Sequence, residues 1–192
     1  MDVAFWETID FSEVKKRKYS VNNVELNYIF PEYGVITELE NITCIGVDPG
    51  INFGVTFLSN GVMAVIWGSL PGHHEFPGIE AMMLGSQMIL NDTPWSAVFE
   101  NTRQLIIRVE GAAFSERFGQ PLLEQVRFGF MYGMTYKTLK WPVDVKYLQP
   151  NSARLQAFGH GEVAGKNLWP NLNQNAADSI GLAIAAAKQV AD

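Results

Sequence analysis

The apolar run Ile42-Thr43-Cys44-Ile45-Gly46-Val47 stops abruptly at Asp48-Pro49-Gly50, and this junction constrains the fold more than any other stretch of the chain. A run that is apolar without alternation reads as a strand buried on both faces, because a strand wetted on one side would alternate. Pro49-Gly50 then turns the chain and holds Asp48 at the strand tip. Phe53 to Leu58 reads as a second strand, and Asn60-Gly61 is the strongest two-residue hairpin signal. Val62 to Trp67 is then the third strand, antiparallel to the second. Leu105 to Val109 makes a fourth strand ending at Glu110, and Val143 to Leu148 alternates like a fifth. Helices are expected from Pro77 to about Asn91, Pro121 to about Leu139, Pro150 to Phe158 and Asn175 to about Val190. A meander followed by strand–helix alternation implies an α/β fold. Its mixed five-stranded sheet has three antiparallel strands, then parallel strands, with helices on both faces. Ligands of such sheets gather at the carboxyl ends of strands, where Asp48 and Glu110 fall.

The length, 192 residues, suits one domain, here residues 42–192, preceded by an extension, residues 1–41, of unassigned role. The extension carries Lys15-Lys16-Arg17-Lys18 and then partial strand character from Tyr19 to Phe30. At 47% hydrophobic and 18% charged the chain can bury a core. No apolar run reaches the roughly 18 residues of a membrane span, and the opening lacks the basic and apolar pattern of a secretory leader, so a cytoplasmic setting is expected. The one cysteine, Cys44, rules out an internal disulfide or a cysteine-based zinc cluster. The formal charge of −6 argues against a general nucleic-acid binder, but charge distribution matters more than the sum. Between Arg103 and Lys166 basic residues outnumber acidic ones, nine to five, so that stretch can face phosphate.

Three acids stand at structurally meaningful points. Asp48 and Glu110 follow apolar strands, and Asp178 lies at the start of an Ala-rich helix with Asn175 one turn earlier on the same face. If that helix start packs on the strand tips, all four converge. Hard oxygen donors so grouped suit Mg²⁺ or Mn²⁺, and clustered carboxylates stay ionised together only when cations bind. Singly, each has an ordinary explanation: Asp48 a turn residue, Glu110 a solvated strand end, Asp178 a first-turn acid, Asn175 an N-cap.

Taken together these segments resemble the RuvC-type Holliday-junction resolvases. Ile45-Gly46-Val47-Asp48-Pro49-Gly50 with Phe53-Gly54-Val55 looks like their opening motif. Val109-Glu110 with Phe114 resembles their second acidic strand, and Gln125-Val126-Arg127 part of their central helix. Pro150, Arg154, Gly159-His160-Gly161 and Lys166 are similar to their basic DNA-binding stretch, and Asn175-Ala176-Ala177-Asp178-Ser179 to their last acidic helix. The resemblance spans about residues 42–190 and implies an RNase H-like fold, a homodimer and two-metal-ion hydrolysis of four-way or branched DNA. It implies Asp48, Glu110 and Asp178 as ligands of Mg²⁺, with Mn²⁺ as substitute, and Asn175 as a fourth catalytic position. It implies Phe114, Arg117, Arg154, His160 and Lys166 as DNA contacts. Three features depart from the family: Asn175 stands where it has Asp or His, the glycine-to-lysine segment is one residue longer, and residues 1–41 have no counterpart. A divergent, phage-type member is consistent with all three.

Two other readings are carried forward. A non-catalytic DNA-binding or scaffolding protein on the same fold draws support from Asn175. An actin-like ATPase shares the Asp48-to-Gly54 hairpin pattern but would need a second such hairpin, which the sequence lacks. His73-His74 has no further ligand cluster nearby and reads as loop. The helix Pro121 to Leu139, apolar nearly all round and carrying Gly129 and Gly133 on one face, is the expected dimer contact.

Overall fold

The computed structural model describes residues 9, 11, 15–21, 24–31, 39–49, 52–69, 101–111, 142–160 and 165–191. Its strands are β1 (Arg17–Val21), β2 (Val24–Ile29), β3 (Ile42–Asp48), β4 (Asn52–Ser59), β5 (Val62–Ser69), β6 (Gln104–Glu110) and β7 (Val143–Leu148). The described helices are α1 (Pro150–Phe158), α2 (Gly165–Leu168) and α3 (Gln174–Ala191). The strands form one mixed sheet in the order β1-β2-β5-β4-β3-β6-β7. The meander β3–β4–β5 is antiparallel, and β6 and β7 continue it in parallel. The fold is therefore α/β.

Among the described residues the sheet has seven strands, not the five expected. The two additional ones come from the extension: β1 and β2 form a hairpin, and β2 pairs antiparallel along β5. The reason is hydrogen-bond accounting. β5 would otherwise present a free row of N–H and C=O groups, and a neighbouring strand satisfies them. The expected helices 77–91 and 121–139 lie outside the described residues.

Both faces of the central strands are buried, which explains their continuous apolar runs. On one face Cys44, Val65, Trp67 and Ile106 pack against Ala176, Ala177, Ile180, Ala183 and Ile184 of α3. On the other, Ile45, Val47, Val55, Phe57, Ile107 and Val109 form a second cluster. α3 lies unusually close to the sheet because small residues meet there. A Cβ on Gly46 would collide with the Ser179 carbonyl, and one on Gly54 with the Asn175 carbonyl. The Thr56 and Ser179 hydroxyls bond each other at 2.8 Å across the same contact. At the far end of α3, buried Arg108 pairs with Asp144 of β7 at 2.9 Å and donates to Gln189, whose amide donates to Gln156 of α1 at 2.7 Å. A buried guanidinium is tolerable only when its donors are engaged in this way.

Candidate active site

Parallel pairing of β3 and β6 sets Val47 beside Val109, so the next residues, Asp48 and Glu110, emerge at neighbouring tips on the α3 face. α3 starts above them. Asn173 is its N-cap: the side-chain oxygen accepts from the Asn175 N–H at 3.0 Å and the Ala176 N–H at 3.4 Å, while its carbonyl takes the first helical bond from Ala177. The helix thus begins two residues before Asn175, which leaves the Asn175 side chain free for another task. Its Nδ2 donates to Asp48 Oδ2 at 2.9 Å and to the Asn52 carbonyl at 3.1 Å. Both partners are acceptors, so the amide's NH₂ end is the one that faces Asp48.

Asp48 is buried, Glu110 and Asp178 are half-buried, and the three carboxyl groups act on one another. Asp48 is 5% exposed. Burial pushes its carboxyl well above the usual range, and the charges of Glu110 and Asp178 push it further; the Asn175 hydrogen bond opposes this. Glu110 is raised by burial and by Asp178, against the lowering effects of a hydrogen bond with Asp48 and the charge of Arg154. Asp178 is raised by burial, and Arg154 and a hydrogen bond from Gln174 pull it back. Three neighbouring carboxylates are an unfavourable arrangement by themselves, which proton uptake or a positive charge relieves.

Among the described residues, Arg154 is the cation whose charge acts on both Glu110 and Asp178. It lines a shallow open cleft between α1 and α3 together with Glu110, Asp178, Phe158 and Leu182. The sequence assigns Arg154 to DNA phosphate; in the fold its charge also acts on Glu110 and Asp178. The structure therefore brings together Asp48, Glu110, Asn175, Asp178 and Arg154. His160 is exposed just beyond the α1 C-cap, where Gly159 takes a left-handed conformation (φ 76°), and it does not line the cleft. Lys166 lies in α2. Phe114 and Arg117 lie outside the described residues. Sequence reasoning missed Asn173, Gln174 and the Asn52 carbonyl; only the Asn173 cap had a visible signal, an Asn immediately before an Ala-rich helical run.

The donor set is chemically suited to a hard divalent cation: carboxylate oxygens whose negative charge Arg154 offsets only in part. Among the described residues, no three His, Cys, Asp or Glu side chains yet stand at spacing that would hold an ion. Cation binding would therefore require the carboxylates to draw in, starting with Asp48, which Asn175 now engages.

No protein-family model matches the chain, and no curated protein matches its sequence. Among solved structures it is similar to RuvC of Thermus thermophilus, with a TM-score of 0.46 and 14% identity over 77% of this chain and 93% of that one. It is also similar to T. thermophilus RuvC in complex with Holliday junction substrate, with a TM-score of 0.45 and 13% identity over the same shares.

Proposed function

We propose that the chain is a divalent-cation-dependent endodeoxyribonuclease that cuts four-way or other branched DNA. The observation that carries this reading is the gathering of buried Asp48 with half-buried Glu110 and Asp178 at two parallel strand tips and one helix start, with Arg154 in the adjoining cleft. Mg²⁺ held by the three carboxylates would supply charge for the phosphorane-like transition state and a nucleophilic water at neutral pH. The protein's own residues do the rest. Asn175 and the burial of Asp48 fix one carboxylate, Arg154 can pair a non-bridging phosphate oxygen from the cleft side, and the α3 face excludes bulk water. Expected further DNA contacts are Phe114, Arg117, His160 and Lys166. A two-fold dimer suits paired incision of a symmetric junction, and light scattering with junction DNA tests it.

A second reading rests on the Asn175 amide, which occupies an Asp48 oxygen that a cation would need. On that reading the protein binds junctions and cuts them slowly or not at all. One experiment separates the two: incubation of labelled four-way junction with Mg²⁺, with Asp48→Asn as control. Paired nicks that vanish in the variant support the nuclease; tight binding without nicks supports the alternative.

A further inference from the structure

The strand register strings residues of the catalytic tip and of the N-terminal hairpin into one transverse row. Asp48 is opposite Gly54, Gly54 opposite Trp67, Trp67 opposite Asn27, and Asn27 opposite Lys18. Directly opposed residues of neighbouring strands share a face. That face is the one α3 covers, since Asp48 takes its hydrogen bond from Asn175 and Trp67 packs in the cluster that contains Ala176. Lys16 belongs to the same face, with its Nζ 5.4 Å from the centre of the Trp67 ring. Arg17, between the two lysines, does not. It pairs with Tyr28 and lies over Phe30 at 5.6 Å, both packed against the cluster of the opposite face.

Residues 15–18 are all exposed, on the outermost strand of the sheet or just before it, in a chain whose net charge is −6. The Lys18–Glu25 bridge, 2.7 Å with side chains 62% and 60% exposed, is a solvated pair that salt screens and a stronger anion can displace. Four strand intervals of about 4.8 Å set Lys18 about 19 Å from Asp48 along the row. At roughly 3.4 Å per base step, that distance corresponds to between five and six base pairs of duplex.

We propose that the N-terminal edge strand is a second DNA-backbone contact, in which Lys16 and Lys18 hold the arm of a duplex whose other end lies at the Asp48 site. This rests on the nuclease reading. Edge strands also carry lysines merely to discourage strand addition, but that role needs charge without regard to face. α3 covers the residues between Asp48 and the lysines, so a duplex reaching both sites passes over the start of α3 and needs the lysines on that face only; this difference makes the proposal testable.

The experiment compares the Lys16→Gln/Lys18→Gln double variant with Arg17→Gln, using glutamine so that no new like charge faces Glu25. Affinity for a labelled four-way junction is measured without divalent cation across a salt series, with thermal denaturation as a check on folding. The double variant is expected to bind about fivefold or more weakly and to lose ~1.8 from the log–log salt slope, the share of two phosphates. Arg17→Gln should change affinity less than twofold. Equal losses in both variants, or none in the double variant, overturn the proposal and leave the nuclease reading standing. A wild-type chain that binds no junction at any salt overturns both.

Discussion

Replacing Asn175 by Asp puts a carboxylate where the amide now donates to Asp48 and Asn52, and its cost can be worked from those two contacts. The lost bond to a buried carboxylate at 2.9 Å is worth about 1.5–3 kcal/mol. Two like charges about 4 Å apart at an effective dielectric of 20 add about 4 kcal/mol of repulsion, part of which proton uptake and side-chain rotation relieve. A net loss of about 3 kcal/mol near neutral pH follows. For a chain of this size that lowers Tm by roughly 6–12 °C in EDTA. Millimolar Mg²⁺ reverses the sign, because a fourth carboxylate strengthens a hard-cation site. The variant should therefore recover its Tm and cut junction DNA faster than the parent. Differential scanning fluorimetry with EDTA and with Mg²⁺, followed by a cleavage time course, reads both effects. An equal Tm loss in both conditions, or none in EDTA, refutes the reasoning: the first reduces Asn175 to a packing residue, the second detaches it from Asp48.

Other consequences follow from the same geometry. Asp48→Asn removes one of three mutually repelling carboxylates, so it should raise Tm in EDTA by several degrees, erase the Mg²⁺-dependent rise and abolish nicking while junction binding persists. The folded-state carboxyls of Asp48, Glu110 and Asp178 are raised, so the folded chain binds more protons than the unfolded one. Their contribution favours folding below about pH 4 and is lost as pH rises through the raised values; the Mg²⁺-induced gain in Tm should accordingly be larger at about pH 7.5 than at about pH 5. Gly46→Ala drives a methyl group into the Ser179 carbonyl and should cost about 2–3 kcal/mol or more in chemical denaturation, with weakened Mg²⁺ binding because α3 carries Asp178. Arg154→Gln removes the cation beside Glu110 and Asp178, lowering cleavage at least tenfold, and an unchanged rate would take Arg154 out of the chemistry.

The central strands were legible because burial on both faces writes itself as unbroken apolar sequence: Ile42 to Val47 and Leu105 to Val109 emerge within a residue of β3 and β6. Asp48 and Glu110 were legible for the same reason, as the first charges after such runs. β1 and β2 were harder, since their residues are mixed in polarity and their strand state is decided by the open edge of β5 rather than by local preference. Asn175 was read as a ligand or a cap because sequence gives the residue type but not which end of an amide faces its neighbour. Arg154 was read as a phosphate contact, but nothing local reveals that α1 sets its charge beside Glu110 and Asp178. What sequence cannot supply in each case is a contact made across the fold.

The tie between Asp48 and Asn175 joins residues 127 apart along the chain. On a ribosome adding about 5–20 residues per second, that separation is roughly 6–25 seconds. Throughout this interval β3 can find β4 and later β6, yet the apolar face bearing Cys44 and Ile106 has no α3 to cover it, and the third carboxylate has not been made. A nascent chain is therefore sticky before its acidic centre is complete. The acidic centre cannot assemble until the helix that shields the sheet has also been made, so a chain interrupted before α3 lacks both the shield and Asp178.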